Sequence, residues 1–173
     1  TAMATENVAG GTISLTGAIT DTTCTINGGK NSDFTIALNP ISITDAGTSV
    51  GVIQKNQKAI SLSFSDCTQG QGSGNLKMYF SSADNISIDG KYLVNDTVNE
   101  ADDSIARNVG FALTTSSNKT TPIALDKPFD TGVVGNTSTP ENLTLIASYY
   151  KVNAKPAQVG QLHSNVIYSI SYL

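Results

Sequence analysis

The chain has 173 residues, 39% of them hydrophobic and 14% charged, with a net charge of −4 and a sequence pI near 4.7. That is enough apolar material for one core in one domain, which excludes global disorder. The acidic balance excludes a nucleic-acid footprint, and the lack of a basic cluster or long apolar run argues against a membrane span or a polybasic anchor.

Ser, Thr, Asn and Gly take the place of charges, a balance common in extracellular β-proteins because Thr and Val suit pleated, half-buried surfaces. The leading stretch "TAMATENVAGG" has no periodicity and is expected to be loose unless something holds it. No signal peptide is visible, so the chain reads as processed; Ala2 and Ala4 resemble an A-x-A cleavage site, which makes a few leading residues candidates for leftover signal. "GGTISLTGAIT" then alternates Ile13, Leu15, Gly17 and Ile19 in one phase, the pattern of a half-buried strand. "DFTIALNPISI" offers Phe34, Ile36 and Leu38 and breaks at Asn39-Pro40. "SITDAGTSVGV" has room for one helical turn. "KAISLSFSDC" alternates Ile60, Leu62 and Phe64, with Cys67 out of phase, and "NLKMYFSS" carries Leu76, Met78 and Phe80.

"EADDSIARN" is a second candidate for a single helical turn. "NVGFALTTSSNKTTPIAL" reads as a strand at Val109, Phe111 and Leu113, a polar turn, and a second strand at Ile123 and Leu125. "ENLTLIASYYKV" supplies Leu143, Leu145, Ala147 and Tyr149. The chain closes on "SNVIYSISYL", with Val166, Tyr168, Ile170 and Tyr172 on one face and Ser169 and Ser171 on the other. Roughly seven or eight short strands, no long helix and no internal repeat point to a two-sheet Greek-key sandwich of immunoglobulin-like type.

Cys24 and Cys67 are the only cysteines. They could be an isolated thiol pair, but in a Lys-poor, Thr-rich, all-β chain a disulfide is the expectation, and with it an oxidising compartment. It would close a 43-residue separation and contribute about 4 kcal/mol by the chain-entropy estimate.

The two ends pose the problem. Gly17 stands where a core side chain is expected, and a glycine inside a strand marks a bulge, an edge or the close approach of another backbone. The terminal strand has no later segment in the sequence to pair with, and exposed apolar edges are hazards that soluble proteins cover. A strand-capable arm at one end and an open edge at the other suggest that one molecule completes the next.

The same residues resemble the chaperone–usher pilin subunits of the type 1 fimbrial class. The likeness spans the chain: a glycine-bearing strand running into the first cysteine ("GGTISLTGAITDTTC"), a second cysteine after an alternating strand ("ISLSFSDC"), a hairpin opening on Val-Gly ("VGFALTTSSNKTTPIAL"), the next-to-last strand "LIASYYKV", and a penultimate tyrosine, Tyr172. Gly160 stands fourteenth from the C-terminus, where that family also carries a glycine. The resemblance implies an incomplete immunoglobulin-like sandwich lacking its last strand, completed by a donor strand from a neighbouring subunit. Residues 1–20 would be the donor-strand extension and 21–173 the pilin domain. Ile13, Leu15, Gly17 and Ile19 would be the donor positions; Gly160, Val166, Tyr168, Ile170 and Tyr172 would form the acceptor groove and terminal strand. The carboxylate of Leu173 would anchor a periplasmic chaperone. Implied partners are identical or related pilin subunits, that chaperone and an outer-membrane usher, on a cell-surface fimbria of a Gram-negative bacterium that the chain reaches through the periplasm. The implied function is a structural subunit of an adhesive pilus. The alternatives are a minor adaptor subunit, or a carbohydrate-binding tip adhesin module.

Nothing in the sequence assembles a nucleophile with its base, so no enzyme, cofactor or metal is expected. His163, in the loop before the last strand, is a lone surface histidine and cannot build a zinc site. "GQGSGN" lacks the Lys-Ser/Thr ending of a phosphate loop, "EADD" lacks EF-hand spacing, and the Asn-x-Thr triplet at Asn95 is a product of an Asn/Thr-rich composition.

Overall fold

The structure is a computed structural model and describes residues 7–8, 11–17, 24–27, 33–68, 74–81, 84–96, 106–158 and 160–173. In chain order the strands are β1 (Asn7–Val8), β2 (Thr12–Gly17), β3 (Thr25–Ile26), β4 (Phe34–Ala37), β5 (Ile41–Ser42), β6 (Gly51–Ser65), β7 (Lys77–Ser81), β8 (Val109–Thr115), β9 (Phe129–Asp130), β10 (Glu141–Lys151) and β11 (His163–Ser171). One short helix, α1 (Ile43–Ala46), follows β5 where one helical turn was expected. Ser42 caps it: its hydroxyl accepts from the Asp45 N–H at 2.9 Å, and the Asp45 carboxylate accepts from the Ser42 N–H at 3.3 Å. Of the second candidate turn, residues 100–105 lie outside the described residues, as do residues 70–73 of the glycine-rich loop.

Two sheets share one core. Among the described residues the first runs β3-β6-β10-β8 and the second β4-β2-β11-β7-β9, while β1 pairs only with β5. Every pairing among these strands is antiparallel except that of β2 with β11. The alternating residues read from the sequence point inward as expected. Ile60, Leu62 and Phe64 from β6 and Leu143, Leu145 and Tyr149 from β10 meet Leu76, Met78 and the inward face of β11 in a single buried cluster.

Three differences from the expected elements have physical causes. β6 starts nine residues earlier than Ile60, at Gly51, because it absorbs a large irregularity: Ala147 lies opposite Lys58, whereas Tyr149 lies opposite Ile53. The extra residues leave the alternating pattern, with Asn56 at φ 60° and its side-chain amide donating to the Pro40 carbonyl at 2.9 Å. Second, Ile123 and Leu125 are buried but form no strand. Their N–H groups donate to two separate partners, Leu113 at 2.7 Å and Gly90 at 2.7 Å, and Pro122 between them and the turn has no N–H to extend a ladder. Third, His163 is the first residue of β11 rather than part of the preceding loop.

The edge of β8 is closed by these loops. Leu93 exchanges two backbone hydrogen bonds with Phe111, at 2.7 and 3.0 Å, and Ile123 covers Leu113, so six of the seven residues of β8 are buried. At the far end of β10 the Lys151 side chain is fully buried. Its ammonium donates to the carbonyls of Asn108 (3.0 Å), Asn153 (3.0 Å) and Lys155, and desolvation lowers its pKa.

Candidate functional site: a strand slot beside the C-terminal strand

β11 is built for a partner on each side. Val166, Tyr168, Ile170 and Tyr172 all face inward and are at most 4% exposed, while Ile167 on the other face is 40% exposed. On one side β7 pairs antiparallel, from Ile167 opposite Ser81 to Ser171 opposite Lys77. The other side is a slot between β11 and β4, and β2 lies in it.

The strand that fills the slot is therefore the chain's own, where the sequence reading expected a neighbour's. It runs parallel to β11, with His163 opposite Thr12, Ser164 opposite Ile13, Val166 opposite Leu15 and Tyr168 opposite Gly17. Its other edge pairs antiparallel with β4, Ile13 opposite Ile36 and Leu15 opposite Phe34. Ile13 and Leu15 are completely buried, and Thr12, Ser14 and Thr16 face away from the core. Gly17 ends the strand half-buried, its N–H donating to the Asp33 carboxylate at 2.9 Å. Ile19, the fourth donor position, lies outside the described residues.

The slot's mouth and floor are fixed by side chains from elsewhere. Gly160 sits at φ 154°, a backbone region that residues with a Cβ rarely adopt, just before the chain enters β11. Asn95, 5% exposed, donates to the carbonyls of Ala106 (3.0 Å) and Gln161 (2.9 Å) and accepts from the His163 N–H (3.2 Å), so its amide is an internal bracket and not an exposed acceptor. His163 Nδ1 lies 2.9 Å from both carboxylate oxygens of Asp96, and Asn165 donates to the same carboxylate at 2.8 Å. At the other end the Tyr172 hydroxyl donates to the Val134 carbonyl, while Glu141 accepts from the Gly135 N–H at 3.0 Å. Leu173 is 59% exposed beyond it.

Sequence reasoning missed two features. Ser164 also faces into the slot, fully buried opposite Ile13, and its hydroxyl has no hydrogen-bond partner among the described residues. Its place in the alternating face was readable from Val166 and Tyr168. Tyr149 was readable as an inward residue of its strand, but not its reach. From the opposite sheet its hydroxyl accepts the Gly11 N–H at 3.0 Å and donates toward the carbonyls of Leu38 (3.2 Å) and Asn39 (2.8 Å).

Burial raises the pKa of the Tyr149 phenol, with the Gly11 hydrogen bond acting weakly the other way; burial, and then the Glu141 carboxylate, raises that of Tyr172. Each folded phenol thus holds its proton more tightly than the unfolded chain does. The stability they lend is complete below pH 10 and is lost as pH climbs through the raised values. A spectrophotometric titration of the native protein should therefore release tyrosinate later than one in denaturant. Coincident curves would contradict the burial.

Cys24 and Cys67 form a disulfide that joins the head of β3 to the end of β6. Among the described residues no group of three or more His, Cys, Asp or Glu could hold a metal ion, and no helix is long and apolar enough to cross a membrane.

The family model described as "Fimbrial protein" matches residues 13–173, from the first buried residue of β2 to the last residue of the chain. The chain belongs to the fimbrial protein family. It is 30% identical over 171 residues to the major fimbrial subunit SMF-1 of Stenotrophomonas maltophilia (strain K279a), covering 96% of this chain and 94% of that one. Among solved structures, the CupB6 tip adhesin from Pseudomonas aeruginosa aligns with 79% of the fimbrial chain at 15% identity and a TM-score of 0.41; the match spans 48% of the adhesin.

Proposed function

We propose that this fimbrial protein is a structural pilus subunit that polymerises by donor-strand exchange, with residues 1–20 as the donor arm whose β2 leaves its own slot to fill that of the next subunit. The observation that carries the reading is the slot itself. β11 is held by β7 on its far edge, β4 pairs among the described residues with β2 alone, and the strand between them comes from the opposite end of the chain and joins by side-chain insertion at Ile13 and Leu15. A strand bound through main-chain rungs and a few inward side chains is interchangeable with another of the same pattern. Strand addition at an open sheet edge is a general binding mode, and donor-strand complementation among pilins is a known instance of it.

In this reading Ile13, Leu15, Gly17 and Ile19 are the donor positions, and Val166, Tyr168, Ile170 and Tyr172 form the acceptor wall. Two or three buried aliphatic donor side chains contribute roughly 1.5–3 kcal/mol each, and the rungs about 0.5–1.5 kcal/mol apiece. The linkage resists force mainly through slow release, because freeing the strand means opening the sandwich. A periplasmic chaperone would protect the slot before assembly and an outer-membrane usher would order the exchange, on the surface of a Gram-negative cell. The role is mechanical and adhesive, and it uses no catalytic chemistry.

The test is an SDS gel of purified protein, boiled and unboiled, beside a variant lacking residues 1–20. A ladder that survives without boiling, collapses on boiling and is absent without the arm is expected. A single monomer band from the intact chain under all assembly conditions would sink the proposal.

A further inference from the structure

We propose that Gly11 and Tyr149 form a latch that holds the arm in its own slot and has to be released before the arm is donated; the proposal rests on the strand-donation reading above. Three independent features converge on Gly11. Its N–H donates to the buried Tyr149 hydroxyl at 3.0 Å, across the sandwich from β2. Its carbonyl accepts from the Leu38 N–H at 2.8 Å, and the next N–H, of Thr12, donates to the Leu162 carbonyl at 3.1 Å. Its α-carbon is pressed against aromatic rings: a Cβ there would lie 2.5 Å from two ring carbons of Phe111 and 3.1 Å from the Tyr149 ring. Those rings stack on each other with centroids 5.9 Å apart, and both side chains are fully buried. Neither ring can swing aside without opening the core.

The joint differs in kind from the rest of the slot. The rungs that β2 makes with β4 and β11 are main-chain bonds open to any inserted strand. The joint requires a residue with no side chain at one point, with its N–H aimed at Tyr149. Whichever way a neighbour's arm enters, this chain's own Gly11 leaves the joint when its arm departs. The latch therefore raises the barrier to the arm's release, since these contacts break before the arm can leave, whichever Gly11 later enters the joint. Leu15 is the side chain whose burial anchors the arm in either slot.

The test compares intact chain, Gly11→Ala, Tyr149→Phe and Leu15→Ala. Two readouts are used: the rate at which purified monomer yields a boiling-sensitive ladder, and the rate at which it captures a labelled synthetic peptide of residues 1–20. Overpacking at the joint should speed both by roughly tenfold or more in Gly11→Ala. Tyr149→Phe keeps the ring and loses only the hydroxyl, so it should accelerate both more modestly, and it serves if Gly11→Ala fails to fold. Leu15→Ala should instead give ladders that fall apart without boiling. A wild-type ladder with Gly11→Ala and Tyr149→Phe both at the wild-type rate would overturn the latch alone. No ladder and no peptide capture from any variant would overturn donation itself, and the latch with it.

Discussion

Leu15→Ala should lower the stability of the folded monomer by about 2–5 kcal/mol, the cost of emptying a fully buried leucine site. The size follows from the position. Leu15 has no solvent exposure, lies opposite Val166 on one side and Phe34 on the other, and belongs to the one core that both sheets share. The gap does not close easily, because β11 is paired with β7 on its other edge and the next inward position of β2 is a glycine, Gly17. Thermal denaturation checks it, at roughly 2–4 °C of Tm per kcal/mol for a chain of this size. A change smaller than about 1 kcal/mol would mean that β2 is only loosely held, and a peripheral arm could not serve as a structural linkage.

Replacing both Cys24 and Cys67 with serine should cost about 4 kcal/mol by the chain-entropy estimate for a separation of 43 residues. The bridge matters beyond its loop. β3 is only two residues long, pairing Thr25 with Ser65 and Ile26 with Phe64, and two rungs alone are marginal. The covalent link holds that short strand on β6, and the Cys67 N–H also donates to the Gly135 carbonyl at 2.9 Å in the loop that Tyr172 pins. The same double variant should therefore unfold at clearly lower urea, and a midpoint equal to that of the oxidised wild type would contradict the assignment.

Much of this was legible in the sequence, and for a simple reason. A two-residue period survives wherever one strand face is buried, so Ile13 and Leu15, Ile60 to Phe64, Leu143 to Tyr149 and Val166 to Tyr172 all announced their inward faces. The disulfide was readable from two cysteines in a Thr-rich, Lys-poor chain. Where several local patterns are compatible with the same residues, the reading was poorer. Ile123 and Leu125 alternate like a strand, but their backbone partners lie in two different segments, which no local pattern encodes. The irregularity in β6 hides the alternation between Ile53 and Lys58, so half of that strand was invisible. The slot was inferred from an arm and an unpaired end. Its present occupant could not be, because the pattern that fits a neighbour's groove fits the chain's own equally well. Gly11 drew no notice beside the in-phase Gly17, since its reason is a ring on a distant strand.

In the strand-donation proposal the slot between β4 and β11 needs a strand, and that strand is separable from the domain that holds it. The most direct measurement is refolding of a chain lacking residues 1–20, with and without a synthetic peptide of those residues, followed by near-ultraviolet circular dichroism of the buried tyrosines. Native signal is predicted only with the peptide, in a one-to-one complex that survives SDS until boiled. A truncated chain that reaches the same signal and the same Tm without the peptide would contradict it.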